Sequence, residues 1–196
     1  MNDQNASPRR PAARTLLVGN GKLARHLSHY LELKSAPYFH WKNARSIAHI
    51  PEPELAQATV IWILVSDQAI SEVQLNIKKL APHAVYFHSS AALSVPGVFT
   101  LHPLQTFGPR LYELSTYQNI TFTAIKEEWT EVPQAGLELM KALANPLQTL
   151  ANSDRTLYHA ACTMTANFPI ILWTEVFRMM DKKTGISSEA FLPLLR

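Results

Sequence analysis

The sequence has one cysteine, no long hydrophobic run and no cluster of basic residues interleaved with aromatic ones. Cys162 alone cannot form an internal disulfide, and no Cys/His spacing is typical of a zinc site, so we expect a cytoplasmic protein without a metal centre. No apolar segment approaches the roughly 20 residues of a membrane-spanning helix, so we expect no membrane partner. The missing basic cluster argues against nucleic-acid binding, although the net charge is +3.

Residues 1–13, MNDQNASPRRPAA, also lack an apolar segment. They have nothing to bury and no apolar centre of signal-peptide type, so we expect a disordered tail rather than a leader. The chain of 196 residues is 47% hydrophobic and 17% charged, which is enough apolar material for one or two globular domains.

Beyond the tail, short strand-like runs alternate with helical patterns. The run TLLVG at 15–19 is compact and apolar and ends in glycine, as a buried parallel strand does. Further strands are predicted at 37–41, 59–66, 84–90, 98–102 and 119–125, and helices at 22–33 and 68–80. Because strands separated by crossover segments form parallel sheets, the pattern predicts an α/β fold: a Rossmann-like, mostly parallel sheet with helices on both faces.

A G-x-G-x-x-A pattern, GNGKLA at 19–24, connects the first strand to the first helix. Gly19 permits the tight turn, Gly21 lets the backbone approach a pyrophosphate, and the small Ala24 lets the helix pack closely on the strand. The helix N-terminus adds free N–H groups and a partial positive charge. The pattern predicts a dinucleotide site, and an ordinary structural turn is the alternative. The predicted cofactor-binding residues here are Gly19, Asn20, Gly21, Lys22, Leu23 and Ala24.

The end of the second strand carries no acidic residue. It reads FHWKNARS at 39–46, whereas an NAD-binding protein usually places Asp or Glu there to hold the ribose 2′-hydroxyl. Lys42, Asn43 and Arg45 instead suit a 2′-phosphate, which an arginine grips with two hydrogen bonds. NADP is therefore predicted in preference to NAD, and a solvated basic loop is the alternative.

Polar residues also follow the third strand. The carboxyl ends of parallel strands meet at one edge of the sheet, where ligands bind. Val65, Ser66 and Asp67 are therefore expected beside the ribose and nicotinamide of the cofactor. Asp67 is equally suited to cap the helix that follows.

Three later segments strengthen the interpretation through a family resemblance. FHSSAALS at 87–94, LHPLQTFG at 101–108 and YHAACTMTANF at 158–168, with the glycine turn, resemble bacterial Rossmann-like proteins whose C-terminal domain has no assigned function. That family is similar to deazaflavin-dependent NADP reductases, ketopantoate reductase, pyrroline-5-carboxylate reductase and 3-hydroxyisobutyrate dehydrogenases. The resemblance implies a Rossmann domain, an all-helical domain that commonly dimerises, and an NADP-linked oxidoreductase of unknown substrate.

Two domains are therefore expected, a dinucleotide-binding domain at 14–152 and a helical dimerisation or substrate domain at 153–196. Ser153 is a suitable N-cap for a helix with apolar spacing over 153–181. The remaining chain is too short to cover that apolar face, so we expect a homodimer through the long helix. The resembling family normally continues with further helices, so we expect either a natural short form or a truncated version of a longer protein.

One stripe of the long helix is polar. Arg155, His159, Thr163 and Asn167 recur at every fourth residue and form a candidate wall of a substrate cleft. In the hydroxyisobutyrate-type dehydrogenases the corresponding helix carries a catalytic lysine with an asparagine four residues later. Asn167 corresponds to that asparagine. Thr163 occupies the position of the lysine, so the proton donor that is usual in those dehydrogenases is in doubt.

Histidine is the natural substitute, because its pKa of about 6.5 suits proton transfer near neutrality. His102, after a strand, and His159, on the polar stripe, are the candidate proton donors, and Asn167 is the third candidate catalytic residue. The structural alternatives are a His102 that fixes its loop and a stripe that forms interhelical bonds. The candidate substrate-binding residues are Ser89, Ser90, Gln105 and Thr163.

The sequence therefore predicts an NADP-dependent oxidoreductase that moves hydride to or from a small carbonyl, imine or hydroxy acid. A non-catalytic NADP-binding sensor or regulatory dimer is the alternative, and a scaffold that retains only the fold is a third. No G-x-S-x-G turn accompanies His88 and its serines, which argues against a serine hydrolase. His40, His88 and His102 have no spacing that fixes a metal geometry.

Overall fold

The computed structural model describes residues 14–43 and 51–195. The predicted tail at 1–13 and Arg45 lie outside these described residues. The chain divides into two compact units, of which the first ends at Arg155 and the second begins at Thr156.

The first unit alternates strands and helices. Its elements, in chain order, are β1 (Thr15–Val18), α1 (Lys22–Leu33), β2 (Tyr38–Trp41), α2 (Glu52–Gln57), β3 (Val60–Ile63), α3 (Asp67–Lys78), β4 (Val85–His88), β5 (Phe99–Thr100), β6 (His102–Pro103), α4 (Leu114–Gln118), β7 (Phe122–Ile125), α5 (Lys126–Trp129), α6 (Gln134–Leu143), β8 (Leu147–Leu150) and a 3-10 helix (Asn152–Asp154). The helix α7 (Arg155–Thr184) and a 3-10 helix (Ser188–Leu195) follow.

The main sheet confirms the predicted fold class. Five parallel strands lie in the order β2-β1-β3-β4-β5. The chain runs from β1 outward to β2 and then crosses back over β1 to β3, so the strand order reverses between β1 and β3. In open α/β sheets, a crevice opens beyond the carboxyl ends of the strands at this reversal.

Helices cover both faces of the sheet, and the side chains of each strand alternate between two cores. Leu17 and Trp62 face one core with α1 and α6. Val18 and Ile61 face the other core with α2 and α3. The central strands β1 and β3 are buried along their whole length, which explains why they read as continuous apolar runs.

A second, three-stranded sheet has the order β6-β7-β8. The run predicted as one strand at 98–102 is divided, because Phe99–Thr100 pairs with β4 whereas His102–Pro103 pairs antiparallel with β7. Leu101 lies between them, and its N–H donates to the carbonyl of His88 at 2.8 Å.

The long helix begins two residues later than predicted. Ser153 lies in the 3-10 helix, and α7 starts at Arg155 and ends at Thr184 before Gly185, whose φ is +72°. Along α7, Ile170 to Trp173 are consecutive apolar residues, each between 41% and 62% exposed. No helix within the described residues combines the length and hydropathy that a membrane crossing needs.

Candidate nucleotide-binding site

The turn after β1 is built around a glycine that no other residue can replace without strain. Gly19 has a φ of +135°, and a Cβ there would overlap the carbonyl group of Leu64, lying 2.7 Å from its carbon. Its N–H donates to the carbonyl of Trp41 at 2.9 Å, and its carbonyl accepts the Nε2–H of His40 at 2.7 Å. The turn is therefore fixed to the ends of both neighbouring strands. Burial lowers the pKa of His40.

The second glycine of the turn is exposed and its surroundings are open. Gly21 is the N-cap of α1, with φ −75° and ψ 178°, a conformation that any residue adopts. No heavy atom lies within 4 Å of the position that a Cβ would take. The missing side chain therefore leaves room beside the backbone, at the helix end where N–H groups attract an anion.

A cavity of about 920 Å³ opens at this turn. Its volume falls within the range of roughly 300–1,000 Å³ that is usual for small-molecule sites. The lining residues come from the carboxyl ends of four strands and from one face of α3: Gly19, Asn20, Gly21, Lys22, Leu23, Lys42, Asn43, Ile63, Leu64, Val65, Ser66, Asp67, Ala69, Ile70, Glu72, Val73, Asn76, Ser89 and Ser90. The structure thus brings together most of the predicted cofactor residues and two of the predicted substrate residues.

The strand order arranges the charges of the lining. Lys42 and Asn43 follow β2, Lys22 follows β1, Asp67 follows β3, and Ser90 follows β4. Since neighbouring strands lie about 4.8 Å apart, β2 and β4 are separated by roughly 14 Å across this edge. The lysines therefore occupy the side near β2 and β1, and a carboxylate with hydroxyls occupies the side near β3 and β4.

Two helices begin at the cavity, but only one suits an anion. The first turn of α1 contains no acidic residue, whereas Asp67 is the first residue of α3. A helix N-terminus attracts negative charge, and a carboxylate already present there opposes a second anion. Asp67 does not cap α3, because Ser66 occupies the N-cap position and no side chain caps the helix. Its Oδ2 instead accepts the hydroxyl proton of Ser90 at 2.9 Å.

Ser89 and Ser90, the two lining serines predicted to bind substrate, are already engaged within the protein. Ser89 Oγ accepts from Trp62 Nε1 and donates to the carbonyl of Leu101, each at 2.9 Å. Ser90 Oγ, besides donating to Asp67, accepts the N–H groups of Ala92 at 3.3 Å and Leu93 at 3.2 Å. These bonds hold the wall of the cavity, so substrate contact by either hydroxyl stays a prediction that requires an exchange of partners.

Several predicted residues do not line the cavity. Ala24, in the first turn of α1, is fully buried in the core, which suits the close packing expected of it. His102 is half-buried in β6, opposite Thr123 in the second sheet. Gln105 is exposed, and its Oε1 accepts the N–H of Thr106 at 2.9 Å. Catalytic or substrate roles for His102 and Gln105 stay predictions.

The predicted polar stripe of α7 is not continuous. Arg155 is 6% exposed and contacts residues of the first unit, so it is no part of a solvent-facing row. His159, Thr163 and Asn167 lie on α7 in the second unit, all exposed, and their proposed roles stay predictions.

His40 and His88, two of the three histidines considered above for a metal site, have separate partners. His40 contacts Gly19, and Nδ1 of His88 accepts the N–H of Ser90 at 3.2 Å. Within residues 14–43 and 51–195, no group of three or more His, Cys, Asp or Glu side chains could hold a metal ion.

Sequence reasoning missed the part of the lining that α3 supplies. Ala69, Val73 and Asn76 recur at a spacing of three or four, which places them on one helix face, and Glu72 and Ile70 border them. This spacing was visible in the sequence. The sequence did not indicate that this face of α3 lines the cavity in part and does not pack wholly against the core.

One family model matches part of the chain. Residues 121–196 match a family described as a domain of unknown function, DUF2520. The match confirms the predicted resemblance as far as it concerns a C-terminal domain without assigned function. No curated protein sequence matches the chain.

Solved structures of reductases are similar to the chain at low identity. A Bacteroides fragilis protein, to which an NADP oxidoreductase activity is ascribed, gives a TM-score of 0.67 at 18% identity over 94% of this chain and 78% of its own. Plasmodium falciparum pyrroline carboxylate reductase with NADP bound gives 0.62 at 12% over 91% and 72%. A Streptomyces aurantiacus imine reductase gives 0.63 at 10% over 92% and 71%. These likenesses establish the Rossmann-like fold, while kinship with deazaflavin-dependent and ketopantoate reductases stays a prediction.

Proposed function

We propose that the chain binds NADP in the cavity at the glycine turn and acts as an oxidoreductase on a small carbonyl, imine or hydroxy acid. The observation that carries the proposal is the open space beside Gly21, where nothing lies within 4 Å of a Cβ position. A diphosphate reaches backbone N–H groups at a helix N-terminus only where no side chain stands in between.

The residues that line the cavity suit successive parts of the dinucleotide in the order in which the strands lie in the sheet. The backbone of Asn20 to Leu23 would hold the diphosphate at the start of α1, where no acidic side chain opposes it. Lys42 and Asn43, at the end of β2, would hold the 2′-phosphate. Asp67 would accept a hydrogen bond from a hydroxyl of the nicotinamide ribose, because a carboxylate has acceptor capacity beyond its bond to Ser90.

The reaction class is supported by what the similar structures are named for. A pyrroline carboxylate reductase and an imine reductase act on small C=N compounds, and a bound nicotinamide supplies the hydride for such reductions. The chain would hold the cofactor across the carboxyl ends of β1, β3 and β4, and it would supply the proton. His102, His159 and Asn167 are the proposed proton-transfer residues, and Gln105 and Thr163 the proposed substrate contacts, with Ser89 and Ser90 at the cavity wall.

Titration of the purified protein with NADPH and NADH, followed by nucleotide fluorescence, tests the binding step. We expect saturable NADPH binding that is tighter than NADH binding. No binding of either nucleotide below the millimolar range would refute the proposal. Oxidation of NADPH with a panel of ketoacids and cyclic imines then separates an enzyme from a sensor, since an NADPH-binding sensor turns over none of them.

We also propose that α7 pairs with a second copy of the chain. Ile170, Ile171, Leu172 and Trp173 point in successive directions about 100° apart, so the apolar surface surrounds the helix instead of forming one stripe. Single exposed apolar residues are ordinary, but a contiguous patch of this kind marks an interaction surface. Sedimentation should give a dimer that Leu172→Glu dissociates. A monomer at micromolar concentration would contradict the proposal.

A further inference from the structure

A buried arginine lies behind the wall of the cavity. Arg155 is 6% exposed and is the first residue of α7. Its guanidinium donates five hydrogen bonds to four residues: Nε to Asn152 Oδ1 at 3.2 Å, Nη2 to Glu128 Oε1 at 2.8 Å, Nη1 to the carbonyl of Leu93, and both Nη atoms to Thr100 Oγ1 at 3.2 Å. Glu128 balances the charge, so the fork of donors is free to fix neutral groups.

One branch of these contacts leads to the cavity through Leu93. The carbonyl of Leu93 accepts from Arg155, and its N–H donates to Ser90 Oγ at 3.2 Å. Leu93 is thus held on both sides of its backbone. Ser90 Oγ in turn donates to Asp67 on the cavity wall. A continuous series of hydrogen bonds therefore connects the guanidinium to the Ser90 hydroxyl and the Asp67 carboxylate.

The second branch leads through Thr100 and His88 to the same serine. Nδ1 of the fully buried His88 accepts the N–H of Ser90 at 3.2 Å, so the ring proton resides on Nε2, 3.5 Å from Thr100 Oγ1. Burial, together with the nearby Arg155, lowers the pKa of His88 to about 4, which keeps the ring neutral as this acceptor role requires. Glu128 also accepts the N–H of Thr100 at 2.7 Å. Both branches therefore end at Ser90.

We propose that Arg155 is a positioning residue of the nucleotide site: through Leu93 and Thr100 it fixes Ser90 and Asp67, the groups that meet the nicotinamide half of NADP. The inference rests on the proposed function. It assigns no direct contact between Arg155 and the nucleotide. A positioning role of this kind affects the half of the cavity near β3 and β4 and leaves the basic half near β2 and β1 unchanged.

The test compares two ligands and two variants of the full chain. NADPH spans both halves of the cavity, whereas adenosine 2′,5′-bisphosphate reaches only the basic half. Arg155→Lys keeps the charge beside Glu128 but loses the fork, and Thr100→Val removes the shared acceptor. We expect each variant to weaken NADPH binding about tenfold, whereas binding of the bisphosphate changes less than about twofold. Thr100→Ser, which keeps the hydroxyl, should restore NADPH binding.

Hydrogen exchange in the ligand-free protein gives a readout that is independent of binding. The amides of Ala92 and Leu93 should exchange about tenfold faster in Arg155→Lys than in the unchanged chain, with the β1 and β3 amides unaffected. Arg178→Lys is the matched control, because Arg178 pairs with Glu175 at a surface where its side chain is 57% exposed.

Equal weakening of NADPH and bisphosphate binding would overturn the proposal. Unchanged hydrogen exchange at the amides of Ala92 and Leu93 would also overturn it. Failure of the proposed function is distinguishable, because then the unchanged protein binds no NADPH before any variant is made. If Arg155→Lys does not fold, the Thr100→Val and Thr100→Ser pair gives the same comparison.

Discussion

Replacing Gly21 with alanine separates nucleotide binding from folding at the turn after β1. The backbone there has φ −75° and ψ 178°, which alanine adopts without strain, and a Cβ would meet no heavy atom within 4 Å. The free energy of unfolding should therefore change by less than about 0.5 kcal/mol. The methyl group would, however, occupy the space through which a diphosphate approaches the N–H groups.

The size of the binding loss follows from those N–H groups. A hydrogen bond to a charged group contributes roughly 1.5–3 kcal/mol, so excluding the diphosphate from one such bond should raise the Kd for NADPH roughly 10- to 100-fold. The assay is fluorescence titration with NADPH, paired with thermal unfolding of the same samples.

Gly19→Ala is the contrasting variant. Its Cβ would overlap the carbonyl group of Leu64 at a φ of +135°, so it should destabilise the fold by at least about 2 kcal/mol. A Gly21→Ala protein that folds normally and binds NADPH as tightly as the unchanged chain would refute the reasoning, because the diphosphate would then not lie at this turn.

Three further variants address the rest of the site. Lys42→Ala should weaken NADPH about tenfold at low salt and NADH less than about twofold, and equal losses would contradict a 2′-phosphate contact. Asp67→Asn should weaken NADPH and NADH about equally, roughly fivefold, while adenosine 2′,5′-bisphosphate binds as before; a loss for the bisphosphate would contradict the ribose assignment. The pKa of His88 is about 4 in the folded chain and 6.5 in the unfolded chain. Between these two pH values the unfolded chain therefore binds more protons than the folded chain. The contribution of His88 to the free energy of unfolding is therefore fully present above about pH 6.5. It should fall by up to about 3 kcal/mol as the pH drops toward 4. His88→Asn keeps an acceptor for the Ser90 N–H and should flatten that slope in urea unfolding; an unchanged slope would show that other groups cause it.

The grouping of these residues around one cavity was predictable because it depends on local order in the chain. Each strand of a parallel sheet ends at the same edge, so locating the ends of β1, β2, β3 and β4 was enough to group Gly21, Lys42, Asp67 and Ser90. The glycine pattern then indicated the strand end at which the backbone has open space beside it.

The remaining residues depend on contacts between distant parts of the chain, which local patterns do not encode. Asp67 accepts from a serine 23 residues away, and Arg155 donates to a carbonyl 62 residues away. Arg155 had the spacing of an exposed polar stripe, yet it is buried because Glu128 and Thr100 satisfy its guanidinium. His102 was expected in the main sheet, but the strand changes partners at Leu101.

Two of the elements between β7 and α7, the helix α6 and the strand β8, were not predicted. α6 places only Gly136, Leu139, Met140 and Leu143 in the core, and β8 (Leu147–Leu150) is a strand with an exposed centre. The four residues of β8 are too few to show a period. The buried positions of α6 do recur at helical spacing, so this helix was detectable in the sequence. Gly136 shows how closely α6 packs, since a Cβ there would lie 2.8 Å from the ring of Phe87.

A crystal structure of the protein with NADPH tests the central claim most directly. We predict diphosphate oxygens about 3 Å from the backbone nitrogens between Asn20 and Leu23, with the 2′-phosphate beside Lys42. A nucleotide bound elsewhere, or a turn whose N–H groups face away from the bound nucleotide, would contradict the account.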